Sequence, residues 1–194
     1  WGLAIYLYMS STHGGAKSVD MSDSVFNKVG YVLYSVIEVY DSTGRTGNDT
    51  LDVTVNFQNN VLTDAYGLVC WIDLYLYDDV DWTVNVEQTM INNVVVQENY
   101  MGSWPFDTDY PVSSALGSGV YIKDYGIHEN STTLTQTATV TGNHIESPGP
   151  WGIDIGNTIY NYYGDTIRNA NIEISDNLVN CTWDDGIYVW SEMY

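Results

Sequence analysis

Asp154 and Glu173 are the carboxylates most open to a chemical reading, because the alternation around each turns its side chain away from the apolar positions. With His144 and Arg168 close by in sequence, they form the one constellation that could supply an acid and a base. Two carboxyl groups flanking a groove at a suitable separation can hydrolyse a glycosidic bond. Acidic side chains on an acidic protein are more often simply solvated, and the balance is against an enzyme. His13 and His128 have no evident partner in the sequence.

Oxygen-rich turns are the second chemical feature. Asp78, Asp79 and Asp81, and further on Asp107 and Asp109, offer the hard oxygen ligands that calcium prefers. Neither cluster has the spacing of an EF-hand loop or of the glycine-rich nonapeptide calcium repeat. Calcium is therefore expected, if at all, as a stabiliser of turns, without a defined site. Cys70 and Cys181 lie far apart and lack CxxC spacing, so neither a zinc knuckle nor a disulfide framework is indicated, and Cys70 reads as a buried thiol. Three N-x-S/T sequons, at Asn48, Asn130 and Asn180, fall in polar stretches that read as turns where a glycan could be carried.

Charge narrows the partners. The 194 residues contain five Lys plus Arg against 25 Asp plus Glu, a net charge of −20. The bases are scattered singly, so the clustered cationic surface that phosphate recognition needs is missing and nucleic acid is not an expected partner. Such a surface repels anionic headgroups, and no apolar run approaches a membrane span, so this segment is not expected to insert in a membrane.

What must position these groups is a repeated phrase. An apolar pair at alternate positions is followed by a polar residue three further on, an apolar residue two after that, then a turn, a glycine and another alternating pair. Five copies are found, with first pairs Val19/Met21, Val55/Phe57, Val84/Val86, Ala138/Val140 and Ile172/Ile174. The polar residues are Ser24, Asn60, Thr89, Asn143 and Asn177, and the single apolar residues Phe26, Leu62, Ile91, Ile145 and Val179. After the turns come Gly30, Gly67, Gly119, Gly152 and Gly186, and the chain opens on the same half-phrase at Gly2. Alternation at period two gives strands with one buried face, and its return every few tens of residues gives a solenoid. The recurrent polar corner predicts a stacked side-chain ladder that satisfies turn backbone inside the coil.

This phrase resembles the repeat of right-handed parallel β-helices of the pectin-lyase-like superfamily, in particular the NosD-like and carbohydrate-binding or sugar-hydrolase type repeats. The resemblance spans essentially residues 1–194 and implies an all-β parallel β-helix of about five coils in one domain. It implies a secreted or surface setting as well, but no particular activity. The family's hydrolases carry Asp pairs together with Gly-His-Gly and Arg-x-Lys signatures. Here Asp78/Asp79 and Asp184/Asp185 stand without either, and almost no base is available for a lyase.

Two further features point outward. At the fourth position after each coil glycine stand Tyr6, Tyr34, Trp71, Lys123, Gly156 and Trp190, a row expected on the outer sheet face and able to pack on a neighbour or to bind sugar rings. Residues 92–118 read as an insertion, made aromatic by Tyr100, Trp104, Phe106 and Tyr110. Because the chain begins and ends in the same phase of the repeat, both ends are expected to expose strand edges and core, as in a piece of a longer solenoid or a self-stacking subunit. The sequence thus predicts an extracellular or cell-surface structural module, of a sheath, surface layer or filament, that assembles into a homo-oligomer or polymer through its ends or aromatic face. The alternative is a glycan-binding or glycan-cleaving β-helix.

Overall fold

A computed structural model describes residues 5–11, 13–28, 31–40, 46–63, 67–77, 80–96, 118–128, 130–147, 151–181 and 185–194. The chain advances in triplets of strands, two long and one short. The first triplet is β1 (Ile5–Ser11), β2 (Gly15–Ser22) and β3 (Val25–Asn27). The second is β4 (Tyr31–Tyr40), β5 (Gly47–Gln58) and β6 (Val61–Thr63), and the third β7 (Gly67–Tyr77), β8 (Val80–Ile91) and β9 (Val94–Val96). Then follow β10 (Ser118–His128), β11 (Thr132–Thr141) and β12 (His144–Ser147), next β13 (Trp151–Asn161), β14 (Thr166–Ser175) and β15 (Leu178–Cys181), and finally β16 (Ile187–Met193).

Each strand pairs in parallel with its counterpart one triplet away. Sheet A takes the order β1-β4-β7-β10-β13-β16, sheet B β14-β11-β8-β5-β2 and sheet C β15-β12-β9-β6-β3. The result is an all-β parallel solenoid of about four turns, with no helix among the described residues. Alternation supplies the core: β8 alternates buried and exposed along its first eight residues, and its inward side chains stack on those of the coils before and after. One such row is Met21, Phe57, Met90, Val140 and Ile174, another Phe26, Leu62, Val95, Ile145 and Val179. Each fully buried aliphatic side chain contributes roughly 1.5–3 kcal/mol to holding the coils together.

The corner between sheets B and C carries the expected ladder. Asn60, Asn93, Asn143 and Asn177 each turn inward, with Ser24 at the first coil, at successive spacings of 36, 33, 50 and 34 residues. The carboxamide oxygen of each Asn accepts from the backbone N–H of the ladder residue one coil earlier: Ser24 to Asn60 at 3.1 Å, Asn60 to Asn93 at 3.0 Å, Asn93 to Asn143 at 2.9 Å and Asn143 to Asn177 at 2.9 Å. Its Nδ2 donates to a carbonyl of that earlier coil, Met21, Phe57, Met90 or Val140. The residue before each ladder position is left-handed, with φ of 52° at Asp23, 55° at Asn59, 54° at Asn92, 68° at Gly142 and 54° at Asp176. Asp, Asn and Gly are the residue types that tolerate this conformation.

The third repeat lies four residues later than the sequence pattern suggests. Register places Gln88 and Met90, not Val84 and Val86, opposite Val55 and Phe57, so Asn93 replaces Thr89 in the ladder and Val95 replaces Ile91 in the core row. Val84 and Val86 stack instead on Leu51 and Val53. The physical reason is Gln88, a polar side chain at an inward position, which interrupts the apolar pattern where the phrase begins. The expected insertion shrinks accordingly, because Asn92 and Asn93 form the corner, β9 is a regular strand of sheet C, and Ser118 already belongs to β10. Residues 97–117, with Trp104, Phe106, Asp107 and Asp109, lie outside the described residues.

The Asn93 side chain makes four hydrogen bonds in a buried corner, so Asn93→Ala strands the N–H of Asn60 and the carbonyl of Phe57. Its urea unfolding midpoint is expected to fall by the equivalent of about 3 kcal/mol, whereas Ser24→Ala, where no earlier coil is served, changes stability by less than about 1 kcal/mol.

Candidate functional site

The outer face of sheet A collects the aromatic residues that the glycine spacing selects. Register aligns Tyr6, Tyr34, Trp71, Lys123, Gly156 and Trp190 in one row across all six strands, as expected. Its centre is not open. Trp71 is 8% and Lys123 5% exposed, although both point away from the core. The Lys123 ammonium sits 4.9 Å from the Trp71 ring centroid and 5.3 Å from that of Trp190, so it is held between two indoles. Trp190 reaches it by lying across Gly156, where an added Cβ would stand 2.1 Å from the indole Cε2.

Carboxylates anchor both rings. Trp71 donates its Nε1–H to Asp73 at 2.6 Å, and Trp190 donates to Asp154 at 2.9 Å. Burial lowers the Lys123 pKa, and the negative field of Asp73, Glu192 and Asp154 opposes that shift. Further along the face runs a tyrosine file: Tyr75 to Tyr125 at 6.4 Å between ring centroids, Tyr125 to Tyr160 at 5.7 Å, and Tyr160 to Tyr194 at 4.9 Å. The outer face of sheet B differs in kind. It is a polar array in which Asn56 donates to Asp20 at 2.6 Å and Asn85 to Asp52 at 2.8 Å.

A second polar constellation lies inside the coil, at positions where the repeat demands apolar residues. Gln88 donates to Asp124 Oδ1 at 2.7 Å and to the Cys70 thiol at 3.6 Å. Gln136 donates to Gln88 at 3.3 Å, and Asn157 and Arg168 both donate to Gln136, at 3.1 Å and 3.4 Å. Arg168 also donates to Ser191, whose hydroxyl donates to Asn157 at 3.5 Å. Room for the glutamines comes from Ala138 opposite Gln88 and Ala170 opposite Gln136. Asp124 Oδ2 and Arg168 Nε are buried without a hydrogen-bond partner. Burial pushes the Asp124 carboxyl up to about 7, with Gln88, Arg168 and Gln136 pulling the other way, and burial likewise raises the Cys70 thiol.

The acid–base candidates are not brought together. Asp154 is on β13 in sheet A, buried and bonded to Trp190. Glu173 is exposed on β14 in sheet B, and His144 is on β12 in sheet C, 3.2 Å from Glu146. Alternation alone makes Asp154 and Glu173 both outward, but outward of different faces of the coil, so they cannot flank one groove. Arg168 points inward rather than toward any of them.

Of the acidic turns, Asp78 and Asp79 lie outside the described residues, whereas Asp81 is exposed at the start of β8. Among the described residues no three His, Cys, Asp or Glu side chains converge as a metal site. Asn130 occupies a bend, as its sequon suggested, but Asn48 and Asn180 are exposed on strands β5 and β15. Tyr34 lies in β4, with its side chain outside the described set. The internal Asp124–Gln88–Gln136–Asn157–Ser191 path escapes a search for outward chemistry. Its signal was the presence of polar residues in apolar phase.

Comparison of the chain with family models, with curated proteins and with solved structures finds no match.

Two outcomes follow from this geometry. The folded-state pKa of Asp124 lies above the ordinary 3.8, so the folded protein binds the proton more tightly than the unfolded chain. The stability this provides is fully present below pH 3.8 and is lost as pH rises to about 7, by an amount on the order of a few kcal/mol. Asp124→Asn should flatten that part of the stability–pH curve, measured by urea unfolding from about pH 4 to about pH 8. Gly156→Ala should drive Trp190 off Lys123, lowering stability by about 1–3 kcal/mol and changing the near-ultraviolet circular dichroism.

Proposed function

We propose that the chain is a structural and interaction module of a secreted or cell-surface protein, such as a sheath, surface layer or filament, which assembles by stacking solenoid ends. The observation that carries this reading is where apolar surface remains exposed. Every large exposed hydrophobic side chain among the described residues lies on the first or last coil or on the bend entering β14: Tyr6, Tyr8 and Val25 at one end, and Tyr162, Tyr163, Ile167, Leu178, Ile187, Tyr188, Val189, Met193 and Tyr194 at the other. Ile187, Val189 and Met193 continue rows that are fully buried at Ile153, Ile155 and Ile159 one coil earlier. Strand edges that present such rows together with unpaired backbone groups are templates for further parallel pairing.

The side chains that could have supported catalysis serve cohesion instead. Asp154 holds an indole, and Asp154, Glu173 and His144 occupy separate sheets; other outward carboxylates are likewise engaged, Asp73 by an indole and Asp20 and Asp52 by asparagines of the next coil. Membership of the pectin-lyase-like superfamily is part of the same proposal. Its support is the three parallel sheets and the asparagine corner. Glycans on exposed Asn48 and Asn180 fit a surface setting.

Stacking one copy on another would bring Lys17, at an inward position of β2, toward the row next to Arg168 of β14, and would oppose two molecules of net charge −20. Both repulsions are screened by salt, so assembly should strengthen with ionic strength. The test is sedimentation and electron microscopy from low to high salt, comparing the unaltered chain with Val189→Lys. The expected result is salt-promoted oligomers or filaments that the substitution weakens at least about tenfold, an effect of roughly 1.4 kcal/mol. A chain that stays monomeric at all salt concentrations, or a Val189→Lys variant that assembles equally well, would refute the reading.

A further inference from the structure

The tyrosine file on sheet A includes a stacked pair closer than the Tyr75–Tyr77 pair, whose centroids are 5.9 Å apart. The Tyr160 and Tyr194 rings stack at 4.9 Å between centroids with only 12° between their planes. Their alignment is imposed by the backbone, because the Tyr194 N–H donates to the Ile159 carbonyl at 2.9 Å and the Asn161 N–H donates to the Tyr194 carbonyl at 3.1 Å. Tyr194 is 66% exposed, while Tyr160 is partly buried against Tyr125. One ring is thus accessible to a reagent and the other is held where a radical formed on the first would meet it. The Glu192 carboxylate raises the Tyr194 phenol pKa, which places a proton acceptor beside the exposed hydroxyl.

We propose that Tyr160 and Tyr194 are a site of oxidative cross-linking, at which a peroxide-driven one-electron oxidant joins the coil of β16 covalently to that of β13. The chemistry balances. Each phenol loses one electron and one proton to the oxidant, giving two phenoxyl radicals, and the radicals couple through their ortho carbons. The two ring hydrogens at the new carbon–carbon bond then move to the oxygens and restore both phenols. One hydrogen peroxide is reduced to two waters. The fixed stacking replaces a bimolecular encounter by a reaction between held partners, which selects this pair over isolated exposed tyrosines. Tyr162 and Tyr163 provide the contrast: both are exposed, but their rings stand 6.4 Å apart and tilted by 47°. The inference is independent of the assembly reading, because both rings belong to one chain.

The experiment treats dilute protein with a haem peroxidase and hydrogen peroxide, follows dityrosine fluorescence, and identifies linked peptides by mass spectrometry after trypsin. Cleavage at Lys123 and Arg168 separates residues 124–168 from 169–194. The expected product is these two peptides joined, two hydrogens lighter than their sum, through Tyr160 and Tyr194. Tyr194→Phe should lower the fluorescence yield by roughly five-fold or more, and Tyr163→Phe should leave it unchanged. Both positions are exposed enough that the variants keep the fold, which circular dichroism verifies. Linkage confined to Tyr162 or Tyr163, linkage only between chains, or no linkage would overturn the proposal.

Discussion

The structure depends on one constraint: successive coils must stack with the same residue in the same phase. Parallel in-register pairing sets the coils about 4.8 Å apart, so any side chain on one coil has its nearest neighbour at the equivalent position of the next. The asparagine corner is where that constraint is enforced chemically. A single Asn bridges two backbone groups of the earlier coil, and only an Asn in register can do so. Spacings from 33 to 50 residues between ladder positions are tolerated because β9 and β10, on either side of the longest connection, keep the phase of their neighbours.

The same rule turns isolated polar residues into continuous structures. Inside the coil, Gln88, Gln136 and Arg168 occupy adjacent rows of sheet B on successive coils, opposite Asp124, Asn157 and Ser191 of sheet A, which share one row. A single buried glutamine would be a defect of one to several kcal/mol. Stacking lets each carboxamide find its partner one coil away, so the defect becomes a path, left unsatisfied only at Asp124 Oδ2 and Arg168 Nε. A carboxyl held near neutral pKa at such a place is the electrostatic consequence of incomplete pairing in a low-dielectric interior.

How much of this was legible in the sequence follows from which residues obey the rule locally. The sheets, the apolar rows and the row from Tyr6 to Trp190 are visible because alternation and glycine position repeat along the chain. The third coil was misplaced by four residues because Gln88 carries information that exists only in three dimensions: its partners are 18, 36 and 48 residues away. The Asp154–Glu173 pairing failed for a related reason. Alternation tells which residues face outward but not which of three faces they face, and that assignment requires the corner positions. Lys123 between two indoles was legible as a position in the row and not as an interaction, since the gap at Gly156 that admits Trp190 depends on side-chain direction.

Outward faces divide by composition in a way that stacking amplifies. On sheet B, Asp, Asn and Thr bond along the face and leave it polar, a surface for which water competes well. On sheet A, aromatic rings gather with carboxylates that accept their N–H groups, and each ring added to a row gains a neighbour on both sides, so the favourable contact grows with the number of coils. The gain is lost only at a terminal coil, where a ring has one neighbour instead of two. Tyr194 stacks on Tyr160 and is 66% exposed. A solenoid of this kind therefore presents its side chains in a fixed order at any sheet edge, because register sets which row each one occupies.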